Sequence, residues 1–294
     1  MPITRRQFLA VAALTVSVRE PRAYAADQEQ AVFWRAAMPG RNANVLFGYA
    51  RIDASLVPDI VSDGKRLIDE TQRIIAAFPN VEMTAWDLPR RTLPPIWKSI
   101  SRPVADELRA ALAGLPDGVP IEELSGIEVS WLLMGEGQTP PNPYLGDVLA
   151  RHSRSRGRPV AFLITEKEIR EQFWLPRDPI VLNDTIDEPK IAFLLDVRRR
   201  VGPIGAHLEQ LYRARRGEEI YRFTAEIANQ GIPDPSTFIE EEKAGALAFD
   251  RLLGLLDSTD APTAFVVLPI GILTGETGIL PRLRARGCTV TPIV

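Results

Sequence analysis

Apolar positions along the chain switch between two spacings, and the switching predicts an α/β protein. Phe265-Val266-Val267-Leu268 is a continuous apolar run, the pattern of a strand buried on both faces. Gly271, Gly275 and Gly278 then punctuate a turn. Glu276 to Arg286 carries Ile279, Leu280 and Leu283 at helical spacing, and Gly287 is a good stop for that helix. Cys288 to Thr291 reads as a second strand parallel to the first, completing a C-terminal βαβ unit. Towards the other end, Ala31 to Arg35 and Val45 to Gly48 are short apolar runs around Pro39-Gly40-Arg41-Asn42-Ala43-Asn44, the signature of a β-hairpin.

Between these ends the helical spacing dominates. Val57 to Phe78 places Ile60, Val61, Leu67, Ile68, Ile74, Ile75 and Phe78 three and four residues apart, which predicts one long helix ended by Pro79-Asn80. Val81 to Trp86 is a candidate strand. Pro89 to Pro120 is broken by prolines into two short helices with loops, and Leu124 to Met134 reads as another helix. Gly135 to Pro143 reads as a loop. It lacks the third glycine of a nucleotide-binding fingerprint. Tyr144 to Glu168 predicts a helix, a Gly157-Arg158-Pro159 turn, a buried strand, and a new helix capped by Thr165 with Glu168 at the capping-box position. From Glu188 to Asp257 the pattern is helical throughout, in pieces Pro189 to Arg200, Ile204 to Arg215, Glu218 to Asn229 and Ser236 to Leu256.

Composition narrows the chemistry. The chain has 294 residues, 45% hydrophobic and 25% charged, enough for one large domain or two small ones. A net charge of −3 gives no reason to expect a polyanionic partner. The runs Arg198 to Arg200 and Arg213 to Arg216 have no interleaved aromatic platforms and are offset by Glu209, Glu218 and Glu219. They read as solvated helix faces, and no nucleic-acid partner is expected. Glu240-Glu241-Glu242 suits the start of a long helix. A single cysteine, Cys288, excludes an intramolecular disulfide and reads as a small apolar residue in a buried strand. Two histidines, His152 and His207, are scant material for any site that needs imidazole. Ser62-x-x-Lys65 fits a serine–lysine pattern, but the companion elements of that chemistry are missing.

The first residues carry their own signal. Thr4-Arg5-Arg6-Gln7-Phe8-Leu9 resembles a twin-arginine export signal, followed by an apolar segment from Leu9 to Val18 and a small-x-small site, Ala23-Tyr24-Ala25. The apolar segment is too short for a stable bilayer anchor. Residues 1–26 are therefore expected to be a signal peptide, cut before Ala26 or Asp27. Residues 27–294 are expected to be the mature domain, periplasmic or secreted, with no stable membrane anchor.

Three segments resemble, in order, the TraB/GumN proteins, relatives of the Tiki metalloproteases. Phe33-Trp34, Pro39-Gly40 and Leu46-Phe47-Gly48 match the opening hairpin of that family. Gly146-Asp147 through Gly157-Arg158-Pro159-Val160 to Thr165-Glu166 matches a central helix and strand. The hydrophobic strand, Leu273, Gly275-Glu276, Gly278 and Gly287-Cys288-Thr289-Val290 match the C-terminal motif. The resemblance implies mixed β-sheets covered by many helices, as in TraB/Tiki and EreA/ChaN-like proteins. It also implies that the loops beginning at Gly48 and Gly271 lie side by side at a cleft.

The polar residues of the family motif are missing. The histidine of the first Gly-x-x-His is Arg51, that of the second is Ile272, and the glutamate of the central Leu-Glu-Thr is Ile164. In the family, two histidines and carboxylates would hold a divalent cation that activates water. A guanidinium has no lone pair to offer and isoleucine has no donor atom. What remains is carboxylate: Asp53, Asp87 (with Glu82 second) and Glu276, of which Arg51 is expected to hold one. The binding cleft is therefore expected at Gly48, Arg51, Asp53, Asp87, Gly271, Ile272, Gly275 and Glu276, with no metal, no cofactor and no assigned catalytic residue. Backbone N–H groups of the glycine loop beside Glu276 offer a place for an anion. Two functions compete. One is a metal-free protein that binds a ligand or protein partner in the old cleft. The alternative is a divergent hydrolase or protease of the TraB/Tiki type, using carboxylates with a hard ion such as calcium or magnesium. An unrelated α/β protein, in which three segments match by chance, is the third account.

Overall fold

The computed structural model describes residues 31–50, 52–77, 93–114, 121–135, 143–158, 160–173, 186–232, 241–259 and 261–293. Arg5, Arg6, Arg51, Glu82, Asp87 and the candidate strand from Val81 to Trp86 lie outside them.

The predicted hairpin forms. Strand β1 (Phe33–Ala37) pairs antiparallel with β2 (Asn44–Tyr49), Phe33 opposite Phe47. In the turn between them Gly40 adopts φ +74° and the Arg41 N–H donates to the Met38 carbonyl at 3.0 Å. Three further parallel strands extend the sheet beyond β2. The order is β4-β3-β5-β2-β1-β6, where β3 is Arg73–Ala76, β4 Val160–Phe162, β5 Ala264–Pro269 and β6 Thr289–Ile293. The apolar run of β5 sits at the centre, with Ala264, Phe265, Val266 and Leu268 fully buried. Phe33 and Phe47 stack with ring centroids 4.7 Å apart, and Phe265 closes the cluster at 5.7 Å from Phe47. Such aromatic contacts add about 0.5–1.5 kcal/mol per pair beyond burial.

Helices cover this sheet and build a second core beside it. Helix α1 (Pro58–Asp69) starts on a proline, which suits a first turn whose N–H has no partner, and buries Ile60, Leu67 and Ile68. Helices α2 (Arg102–Leu112) and α3 (Gly126–Gly135) come next, and α4 (Leu145–Ser155) packs along α1. A short α5 (Glu166–Glu168) continues as a π-helical turn, Ile169–Phe173. Then follow α6 (Glu188–Val201), α7 (Ile204–Arg213) and α8 (Gly217–Ala228). Helix α9 (Glu241–Asp257), a single turn α10 (Ile270–Leu273) and α11 (Ile279–Ala285) complete the set. Leu108, Ile127, Leu133, Ile191 and Leu194, from α2, α3 and α6, are fully buried in a core separate from that of the sheet, and Leu208 of α7 packs against both.

Four expectations are corrected. The helix from Val57 stops at Asp69, and Arg73–Ala76 is a strand at the heart of the parallel sheet. Ile74 and Ile75 follow Leu67 and Ile68 by two helical turns, so periodicity alone carries the helix across the turn at Thr71. Strand β6 runs parallel to β5, as expected, and its pairing partner is β1, antiparallel, because β5 already has β3 and β2 on its two sides. Cys288 is buried, one residue before β6. The last helix begins at Ile279 rather than Glu276, since Gly275 to Gly278 close a turn with a 3.1 Å N–H to carbonyl bond. Strand β4 is not buried: it is a sheet edge, with Ala161 exposed and Phe162 43% exposed. The capping box at Thr165 and Glu168 is present in both directions.

Candidate functional site

In an open α/β sheet, the crevice for a ligand lies outside the carboxyl ends of parallel strands, where neighbouring connections leave in opposite directions. Here β3 connects towards β4 at one edge while its neighbour β5 connects towards β6 at the other. The loop after β2 emerges on the far side of β5. The two loops singled out from sequence are thus brought together. Gly48 pairs with Leu268 and Tyr49 with Pro269. A Cβ on Gly48 would lie 2.2 Å from Ile270 Cδ1.

The loop after β2 is pinned to the start of α4. The Ala54 N–H donates to the Pro143 carbonyl at 3.1 Å, and the Leu145 N–H to that of Ile52 at 2.9 Å. This buries Asp53, 6% exposed, whose carboxylate accepts the Ser55 N–H at 2.7 Å and caps the short turn Ala54–Leu56. Asp53 thus has a structural duty of its own, as the cap of this turn.

The loop after β5 behaves differently from the sequence expectation. Ile272 is half-buried against the sheet core, its Cγ2 facing Gly245 of α9 across the space a Cβ would fill. Gly271 is exposed with open space around it, and Glu276 is exposed. Gly275 and Gly278 are the glycines that geometry demands. Gly275 has φ +84°, and a Cβ there would fall 2.3 Å from the Tyr221 ring. A Cβ on Gly278 would fall 2.1 Å from the Thr274 carbonyl oxygen. The Gly275 N–H offered above for an anion already donates to the Glu218 carboxylate at 3.0 Å, so an acid of α8 takes that place.

Several residues around these two loops were not singled out. Tyr212 is buried and donates its hydroxyl to the Gly48 carbonyl at 2.8 Å; burial pushes its phenol well above the usual range. The Thr274 hydroxyl, also buried, lies 2.8 Å from the Ile270 carbonyl and 3.3 Å from that of Gly217. Arg215 reaches Asp63 at 2.7 Å and Asp59 at 3.2 Å on α1. Tyr212 falls within the helix expected over Ile204 to Arg215, but nothing in sequence names the carbonyl its hydroxyl meets. Beyond β4, Arg251 of α9 clasps both oxygens of Glu168 and donates to the Leu163 carbonyl. The Arg251 guanidinium and the Thr165 N–H and hydroxyl together hold the Glu168 carboxyl down at about 2.

Among the described residues, no three His, Cys, Asp or Glu side chains lie close enough to hold an ion. His152 bonds to Asp69 at 3.1 Å on the α1–α4 surface, and His207 sits edge-on to Phe223 among the helices. The arginines doubted as a nucleic-acid face carry carboxylate partners: Arg199 bonds to Glu107 and Asp196, Arg200 to Glu226, and Arg216 to Glu219. Compared with known proteins, the chain matches no family model, no curated protein and no solved structure.

Proposed function

We propose that this is an exported TraB/GumN-like protein that keeps the two-loop frame of that family without its metal chemistry, and that it works by binding a ligand or protein partner at the carboxyl ends of β2 and β5. The observation that carries the reading is the environment of Ile272. An aliphatic side chain that packs on the sheet core and faces Gly245 stands where the motif has a metal-binding histidine. Support for the frame comes from the pairing of Gly48 with Leu268, which sets the two motif loops side by side.

Elemental analysis of protein purified without chelator or affinity tag, together with a hydrolase screen with and without divalent ions, tests this. The expected result is no stoichiometric zinc, manganese or iron and no ion-dependent turnover. About one equivalent of metal, lost on Asp53→Ala, would overturn it in favour of the divergent hydrolase. The burial of Asp53 at the mouth is the observation on that side.

Export belongs to the same proposal. The mature protein begins near Ala26 and leaves the cytoplasm folded, guided by Arg5 and Arg6. Replacing both with lysine is expected to leave precursor in the cytoplasm, because lysine keeps the charge but not the guanidinium geometry. Normal export of the double variant would refute the twin-arginine route.

A further inference from the structure

The turn between α7 and α8 reaches from the helical half onto the carboxyl ends of the sheet strands. Helix α7 closes with the bonding of a Schellman motif: the Arg216 N–H donates to the Leu211 carbonyl and the Arg215 N–H to that of Tyr212, both at 2.9 Å. The residue in the left-handed position is normally glycine, as it is at Gly157, Gly231 and Gly287 elsewhere in the chain. Here it is Arg215, with φ +59°, the one non-glycine residue with positive φ among those described. L side chains rarely adopt this conformation, and it persists where surrounding structure enforces it. The Arg215 guanidinium, on a side chain only 18% exposed, is ion-paired to Asp63 and Asp59 on α1.

On either side of Arg215 the turn is seated on both loops of the site. Tyr212 bonds to Gly48 at the end of β2. The Gly217 carbonyl faces the Thr274 hydroxyl, and a Cβ on Gly217 would come within 3.0 Å of Ile270 Cδ1 and 3.1 Å of the Ala31 carbonyl oxygen. Glu218 takes the Gly275 N–H. The seat is thus packed and polar, while the ion pairs that hold the turn open towards solvent, with Asp59 61% exposed.

We propose that this turn is a releasable latch over the binding mouth: the Arg215 ion pairs hold it closed, and their loss uncovers the loops after β2 and β5. That the latch gates a ligand rests on the binding function proposed above. The latch itself is testable with no ligand, so the two ideas fail separately. The measurement is hydrogen–deuterium exchange of the whole mature protein at about 50 mM and about 500 mM salt, since exposed ion pairs weaken as salt screens them.

In Arg215→Ala, segment 270–278 is expected to exchange about tenfold faster, while segments 126–135 and 191–201 of the helical core keep their rates, the mark of a local opening. Arg215→Lys, which keeps the charge and loses the fork, should fall between. High salt should move the wild type in the same direction and leave Arg215→Ala where it is. A uniform rise across both cores, or unchanged exchange at 270–278, overturns the latch. If Arg215→Ala fails to fold, the salt response of the wild type decides alone.

Discussion

The sheet half and the helical half bury their apolar residues in the same way but constrain their turns differently. Where the loops after β2 and β5 meet, three glycines are squeezed. Gly48, Gly275 and Gly278 each have a heavy atom within 2.4 Å of where a Cβ would stand. In the helical half the turn glycine Gly202 has φ +82° and nothing within 4 Å of its Cβ position. The first kind of glycine records close packing at a site. The second records only a helix end. The difference teaches that glycine is demanded by close packing where the loops after β2 and β5 meet, and by backbone conformation alone at a helix end such as Gly202.

The comparison is tested most severely by truncating one residue in each core. Phe265→Ala in the sheet and Leu194→Ala in α6 are both fully buried sites, and each is expected to cost about 3–5 and 2–5 kcal/mol respectively. Because Leu208 touches both cores and the α7–α8 turn locks onto the sheet, both variants should lower a single calorimetric transition. Two separated transitions in Leu194→Ala would show that the halves unfold independently.

Smaller, and aimed at the glycines, is the pair Gly275→Ala and Gly202→Ala. The first combines a left-handed backbone with a collision against the Tyr221 ring and is expected to cost about 3 kcal/mol. The second meets no side chain and costs only the backbone conformation, φ +82° and ψ −159°, about 2 kcal/mol. Equal costs in denaturant titrations would remove the distinction between a packed and an unpacked glycine.

The smallest effect concerns charge. Glu168 titrates at about 2 in the folded protein against an ordinary value of 4.5, so its ion pair with Arg251 adds stability that is complete above about pH 4.5 and is lost as the pH falls towards 2. Glu168→Gln should therefore be less stable than the wild type at neutral pH, and the gap in melting temperature should close on acidification. In the helical half, Glu107→Gln at the exposed Arg199 pair should leave the melting temperature unchanged at any pH. A gap for Glu168→Gln that stays constant from pH 7 to about 2 would mean that its contribution is packing rather than charge.

Much of the chain was legible because it depends on short-range spacing. The hairpin around Gly40, the central run of β5, the capping box of Thr165 and Glu168, and helices α3, α4, α6, α7, α8 and α9 follow from apolar period, turn residues and caps, each a property of neighbours in sequence. The α/β class follows from the same signals. Tertiary structure alone decided the rest. Arg73–Ala76 became a strand because β5 and β4 offer it a partner on each side, a fact about residues far away in the chain. Strand β6 went to β1 because β5 had no free edge. Where the loops after β2 and β5 meet, sequence could single out Gly48, Asp53, Ile272 and Gly275 as candidates, but not that Glu218 would occupy the Gly275 N–H or that Tyr212 would reach Gly48. Those bonds join groups 57 and 164 residues apart, and their partners are chosen by how the helical half docks, which no local pattern encodes.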